Sequence, residues 1–177
     1  MALIKIVQPE DATGEVAEIF KQMEAYLGHV PEAQKLYAVS PGFLQATVAN
    51  ITRLMGHPKF ANSSILAWTR LLIAGNTNCT YCIDFNKWLL IERYKFTIEQ
   101  IQQVQKEPKS APLEPNELAL LMVIIKVIRD SNSLTQEDIQ SLLQLGWQEA
   151  DIFEAIAHGT QMVGMDLLLN AFHVKEM

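Results

Sequence analysis

Only two cysteines occur in the 177 residues, and they stand three apart as Cys79-Thr80-Tyr81-Cys82. Residues at i and i+3 of a helix share a face, with Cβ atoms about 5–6 Å apart. A disulfide needs about 3.8 Å, so a small adjustment of a first helical turn closes the bond. Asn78, just ahead of the pair, is a residue type that caps helices, which predicts a helix starting at Cys79. There the free N–H groups favour a thiolate over a thiol. Cysteines so placed can cycle between dithiol and disulfide. Other readings exist. A zinc site needs four ligands, and His29, His57, His158 and His173 are scattered, with no HxxxH spacing. A thioredoxin-like site needs a βαβ context that the periodicity does not supply. Two buried, inert thiols are the plain alternative.

The elements that must hold the pair are helical. Val16, Ile19, Phe20, Met23 and Leu27 follow the spacing of an amphipathic helix after Asp11 and Thr13. Gly28 stops it, and Pro31 restarts a short helix through Tyr37. Ser40-Pro41 is a cap followed by a first-turn proline, opening an apolar segment to Met55. Residues 62–64 cap a helix to about Ala74, and residues 75–78 break it before the cysteine helix, which runs to about Tyr94. Thr97 caps a helix to Gln105. Residues 107–115 hold three prolines and read as a linker between a front part, 1–106, and a back part, 116–177. Pro115 starts a helix with Leu118, Leu121, Met122, Ile125 and Ile128 on one stripe, Thr135 and Asp138 start another, and the last spans about residues 148–172. Residues 3–7 suit an extended arm. The fold class expected is all-α, a bundle of helical hairpins in one domain, 1–177.

Charge narrows the function. Charged residues make up 19% of the chain, and the net charge is −6, which argues against nucleic-acid binding. The longest apolar run, 118–125, is too short to span a bilayer. No signal peptide is read at the N-terminus, so a cytoplasmic location is expected. No Asp or Glu occurs from position 33 to position 83, and between 36 and 83 the only charges are Arg53, Lys59 and Arg70. Segments this poor in charge are buried in a core, around a site or against another subunit, and a homo-oligomer is the simplest expectation.

The run "helix, Asn-rich turn, Cys-x-Tyr-Cys, helix" resembles the carboxymuconolactone decarboxylase superfamily, and within it the alkylhydroperoxidase D-like (AhpD-like) proteins. Residues 11–46 are similar to the front of peroxidase-related members, and residues 134–172 resemble their closing helical hairpin. The resemblance implies a thiol-dependent, peroxiredoxin-type peroxidase with antioxidant activity, in which Cys82 attacks a hydroperoxide and Cys79 resolves it as a disulfide. No cofactor and no metal are expected, and the partners that the resemblance implies are a hydroperoxide substrate and a thiol reductant. In the family a glutamate twelve residues before the first cysteine and a histidine four after the second serve the thiols. Here those positions hold Ala67 and Asn86. An amide hydrogen-bonds a thiolate but accepts no proton at neutral pH. Asp84 reads as the nearest carboxylate, turned away from the cysteine face. The double loss supports an alternative, a non-catalytic relative that binds a small molecule or a partner; lactone chemistry like that of the family's namesake is a third reading.

Other residues get plainer assignments. His158 would replace the missing histidine if its helix reached the cysteines; otherwise it is a surface or interface imidazole beside Glu154. Tyr81 either donates to a substrate or packs. Trp68 and Trp88 line a pocket or fill the core. His57 lies in a solvated His-Pro turn, and Met162 and Met165 fill the bundle.

Overall fold

The computed structural model describes residues 2–175. Nine α-helices occur among them: α1 (Gly14–Leu27), α2 (Glu32–Tyr37), α3 (Pro41–Met55), α4 (Ile65–Thr77), α5 (Thr80–Glu92), α6 (Ile98–Lys106), α7 (Pro115–Arg129), α8 (Gln136–Gln144) and α9 (Glu149–Ala171). No strand is found among the described residues, so the all-α expectation holds.

The organising element is α4. Ile65 to Thr69 and Leu71 to Ala74 are all buried, leaving Arg70 as the one interruption in that run. A helix apolar on every face belongs in a core, and α4 is packed against α5, α7 and α9. This burial within one chain accounts for the α4 part of the acid-free segment without a second subunit. Of the cations in the gap, Arg53 pairs with Glu154, and Lys59 reaches Asp151 at 2.6 Å and the Gly146 carbonyl at 2.7 Å.

Helix starts are specified locally. Thr97 with Gln100 and Thr135 with Asp138 form reciprocal capping boxes at α6 and α8, and prolines open α3 and α7 as their spacing predicts. At α5 the expectation shifts by one residue. Asn78 ends α4 in the left-handed region (φ 55°), and Cys79 is itself the cap of α5. The short polar side chain of Asn tolerates that backbone, which turns the chain sharply enough to bring two helix ends together.

The proline-rich stretch is not a loose linker. Residues 108–110 form a 3-10 turn and Ala111 is buried in the main core. Two apolar clusters result. The larger gathers Trp68, Leu71, Ile73, Leu120, Leu121, Ile124 and Trp147 around α4 and α7. The smaller gathers Phe20, Leu36, Tyr37, Leu44, Ala74, Leu169 and both cysteines. The N-terminal arm closes over this end, with Leu3 N–H donating to the Phe172 carbonyl and Val7 N–H to the Lys35 carbonyl.

Candidate functional site

Cys79 and Cys82 are bonded to each other, with Cα atoms 5.2 Å apart, across the first turn of α5. The Cys82 N–H, one of the helix's unpaired donors, points at the Cys79 sulfur at 3.3 Å. Cys79 is 1% exposed and Cys82 8%. The more accessible of the two residues is therefore the one that the resemblance makes the attacker.

Asn86, four residues on, is buried and donates its amide to the Cys82 carbonyl at 2.7 Å, while its oxygen accepts from Arg70 Nε at 3.0 Å. The side chain is thus committed on both sides. Ala67 is fully buried in the main core, and nothing there moves a proton. Arg70 is half-buried, and no carboxylate pairs with it among the described residues. Burial pushes its pKa below the usual range.

The carboxylate nearest the pair is not Asp84, which is exposed. It is Asp166, from the far half of α9. Its carboxylate and both sulfurs lie within 4.8 Å of one another, and all three residues are buried. Thr77, in the last turn of α4, donates its hydroxyl to Asp166 Oδ2 at 2.7 Å. Asn170, one turn further along α9, donates to the Thr77 carbonyl at 3.0 Å. Burial raises the Asp166 pKa to about 6, and the Thr77 hydrogen bond only partly offsets it. Sequence reasoning missed this residue. The available signal was a lone acid in the otherwise apolar run Met162 to Leu169.

Two tyrosines complete the cluster. Tyr37 is pushed above its ordinary range, first by burial and then by the charges of Tyr81 and Asp166. Tyr81 is raised to about 12, chiefly by burial. Its hydroxyl accepts from the Ala33 N–H at 3.3 Å, a packing role. Trp68 is fully buried in the main core against Phe96, ring centres 5.1 Å apart, and lines no thiol pocket. Trp88 is half-buried beside Phe85.

Two histidines depart from expectation. His57 is not simply solvated: it is half-buried, stacks on Phe60, and puts Nε2 3.3 Å from Asp151 Oδ1. His158 is not a surface imidazole but 2% exposed, with neither ring nitrogen hydrogen-bonded. Nor does it serve the thiols. It stands eight residues before Asp166 on α9, about 12 Å along the axis. Glu154 is held by Arg53 instead.

No family model matches the chain. No curated protein matches it either. Solved structures do. A crystal structure described as an alkylhydroperoxidase AhpD core, an uncharacterized peroxidase-related protein from Ralstonia eutropha JMP134, superposes with a TM-score of 0.84 at 17% identity, covering 98% of this chain and 91% of that one. An uncharacterized peroxidase-related protein from Silicibacter sp. TM1040 gives 0.82 at 18% identity, with 98% and 91% covered. The fold is AhpD-like. Within that fold, this chain carries a Cys79–Cys82 pair at the head of α5.

Proposed function

We propose that the protein is a thiol redox protein that reduces hydroperoxides through the Cys79–Cys82 couple. The observation that carries this reading is the closed pair at the start of α5, where the helix N-terminus favours the thiolate and Cys82 is the more exposed residue of the two. Cys82 attacks the peroxide and becomes a sulfenic acid, Cys79 displaces water from it, and an external thiol reductant reopens the disulfide. The test follows thiol loss in reduced protein after addition of cumene hydroperoxide. Cys82→Ser should abolish the fast phase, and Cys79→Ser should stop at the sulfenic acid. Thiols in the native protein that oxidise no faster than free cysteine would sink the reading.

A specific observation favours the second reading, a non-catalytic binding protein: Ala67 and Asn86 occupy the family's acid and histidine positions, and Asn86 is fully engaged. The same oxidation experiment decides between the two. Self-association is also part of the proposal, supported by exposed Phe43 and Met55 on α3 and Phe153 and Leu167 on α9. Light scattering of the purified chain at micromolar concentration tests it, and a monomer mass would remove it.

A further inference from the structure

We infer that Asp166 carries the proton to and from the Cys79–Cys82 pair, standing in space where no residue of the cysteine motif supplies an acid or base. The inference rests on the thiol redox reading above. Its geometric basis is a carboxylate within 4.8 Å of both sulfurs, buried with them, at the meeting of three helix segments. The groups placed against it are neutral or share its acidic character: Thr77 at the end of α4, Cys79 and Cys82 at the head of α5, and Tyr37 from α2. No lysine or arginine pairs with it among the described residues. A carboxylate buried without a counter-ion costs stability. An asparagine would hold the Thr77 hydroxyl equally well, so a purely structural role does not call for an acid.

Thr77 lets the group exist in both protonation states. Its hydroxyl lies 2.7 Å from Asp166 Oδ2 and 3.2 Å from the carbonyls of both Ile73 and Ala74. A hydroxyl has one hydrogen to give. With Asp166 ionised, Thr77 donates to the carboxylate. With Asp166 protonated, Thr77 donates to a carbonyl, and its oxygen is free to accept from the acid. The pKa near 6 fits a group that changes state close to neutrality.

The chemistry balances. Asp166 takes the Cys82 proton, and the thiolate attacks the terminal peroxide oxygen. The O–O bond breaks, OH stays on sulfur, and the departing alkoxide takes the proton back from Asp166 and leaves as an alcohol. Asp166 next removes the Cys79 proton as that sulfur displaces hydroxide from Cys82–SOH, and the proton leaves with it as water. The dithiol is oxidised by two electrons and the peroxide is reduced by two. A dithiol reductant reverses the oxidation, with Asp166 protonating the first sulfur released.

The test compares wild type, Asp166→Asn and Asp166→Glu in two reactions from pH 5 to 9. The first is opening of the disulfide by dithiothreitol, with the rate expressed per dithiothreitol thiolate. In wild type this rate falls as pH rises through about 6, and in Asp166→Asn it is lower and flat; proton-transfer assistance predicts about a 100-fold gap below pH 6. The second is oxidation by cumene hydroperoxide, where Asp166→Asn is slow at pH 7 and recovers toward pH 9 as the thiol ionises by itself. Asp166→Glu restores part of both profiles. Profiles of Asp166→Asn parallel to wild type at every pH, or unchanged, would overturn the inference. Failure of wild type to react with peroxide would remove the peroxidase reading, while the dithiothreitol profile would still decide the role of Asp166.

Discussion

The seam between α4 and α9 carries two buried polar spots, and they behave oppositely. The two helices run in the same direction, since Ile73 approaches Gly159 early in the seam and Thr77 meets Asp166 and Asn170 late in it. At the early end stand Arg70, locked to Asn86, and His158, held neutral with both nitrogens unpartnered. At the late end stand Thr77, Asp166 and the two sulfurs. The first spot includes Asn86, where the sequence resemblance would put a histidine, and holds a fixed cation on a fixed amide. The second spot is marked by no motif, yet there a titratable group lies within 4.8 Å of both sulfurs. Position in a motif and position in space have come apart.

Rebuilding the motif at the early end is the harshest test of that contrast. Ala67 is fully buried among Trp68, Leu71 and Leu120. A glutamate there both overpacks the core and buries a carboxylate, so Ala67→Glu should cost at least about 3 kcal/mol in urea unfolding. Ala67→Glu with Asn86→His should leave peroxide-dependent thiol loss no faster than in wild type. A folded double variant that reacts faster would mean the early end had kept its role.

Next in size is the amide. Asn86→Ala leaves the half-buried Arg70 guanidinium without its hydrogen-bond acceptor, a loss of about 2 kcal/mol. The contrast between the ends predicts that the pH profile of disulfide opening is unchanged in this variant. A displaced profile would tie Arg70 and Asn86 to the thiols and blur the division.

At the early end, next to His158, α9 packs closely on α7 and α4 at Gly159. A Cβ there would sit 2.7 Å from Ile124 Cγ2 and 3.5 Å from Ile73 Cδ1, and Ile124 is fully buried and has nowhere to go. Gly159→Ala should lower stability by about 1–2 kcal/mol despite the better helix propensity of alanine. Gly164→Ala, on the same helix with open space around it, should be neutral or stabilising by up to about 1 kcal/mol. Equal effects in urea titration would mean that the seam is looser than its contacts indicate.

Much of this architecture is legible from the sequence because it is local. Caps such as Thr97 and Thr135, the first-turn prolines and the apolar stripes are set within a few residues, and the cysteine pair declares its own closure. The acid-free segment foretells burial, but not that α4 would be enclosed by its own chain. What the sequence hides is long-range pairing. Asp166 lies 84 positions from Cys82 (166 − 82) and enters the site only because α9 runs along α4. Asp84 is two residues from Cys82 and points to solvent. His158 sits beside Glu154 in sequence, yet packing turns it inward while Arg53 takes the glutamate.

The smallest expected effect concerns His158, and its sign separates the two ends by pH. Burial first, then the charges of Arg70 and Arg53, lowers its pKa from 6.5 to about 3. The folded chain keeps the imidazole neutral while the unfolded chain protonates it, so stability is present above pH 6.5 and is lost as pH falls toward 3. Asp166 acts in reverse. Its pKa, raised from 3.8 to about 6, contributes stability below 3.8 that is lost as pH rises through 6. Between pH 4 and 6 the two slopes oppose each other. His158→Leu removes two unpartnered buried nitrogens and should gain about 1 kcal/mol at pH 7. It also removes the acid-side loss, so its advantage over wild type widens as pH falls. Asp166→Asn should do the opposite and make stability climb more steeply from pH 4 to 6. Thermal melts of wild type and both single variants at pH 4, 5, 6 and 7 read the slopes directly. Parallel curves for all three would show that neither buried group titrates with folding, and the contrast between the two ends would lose its electrostatic basis.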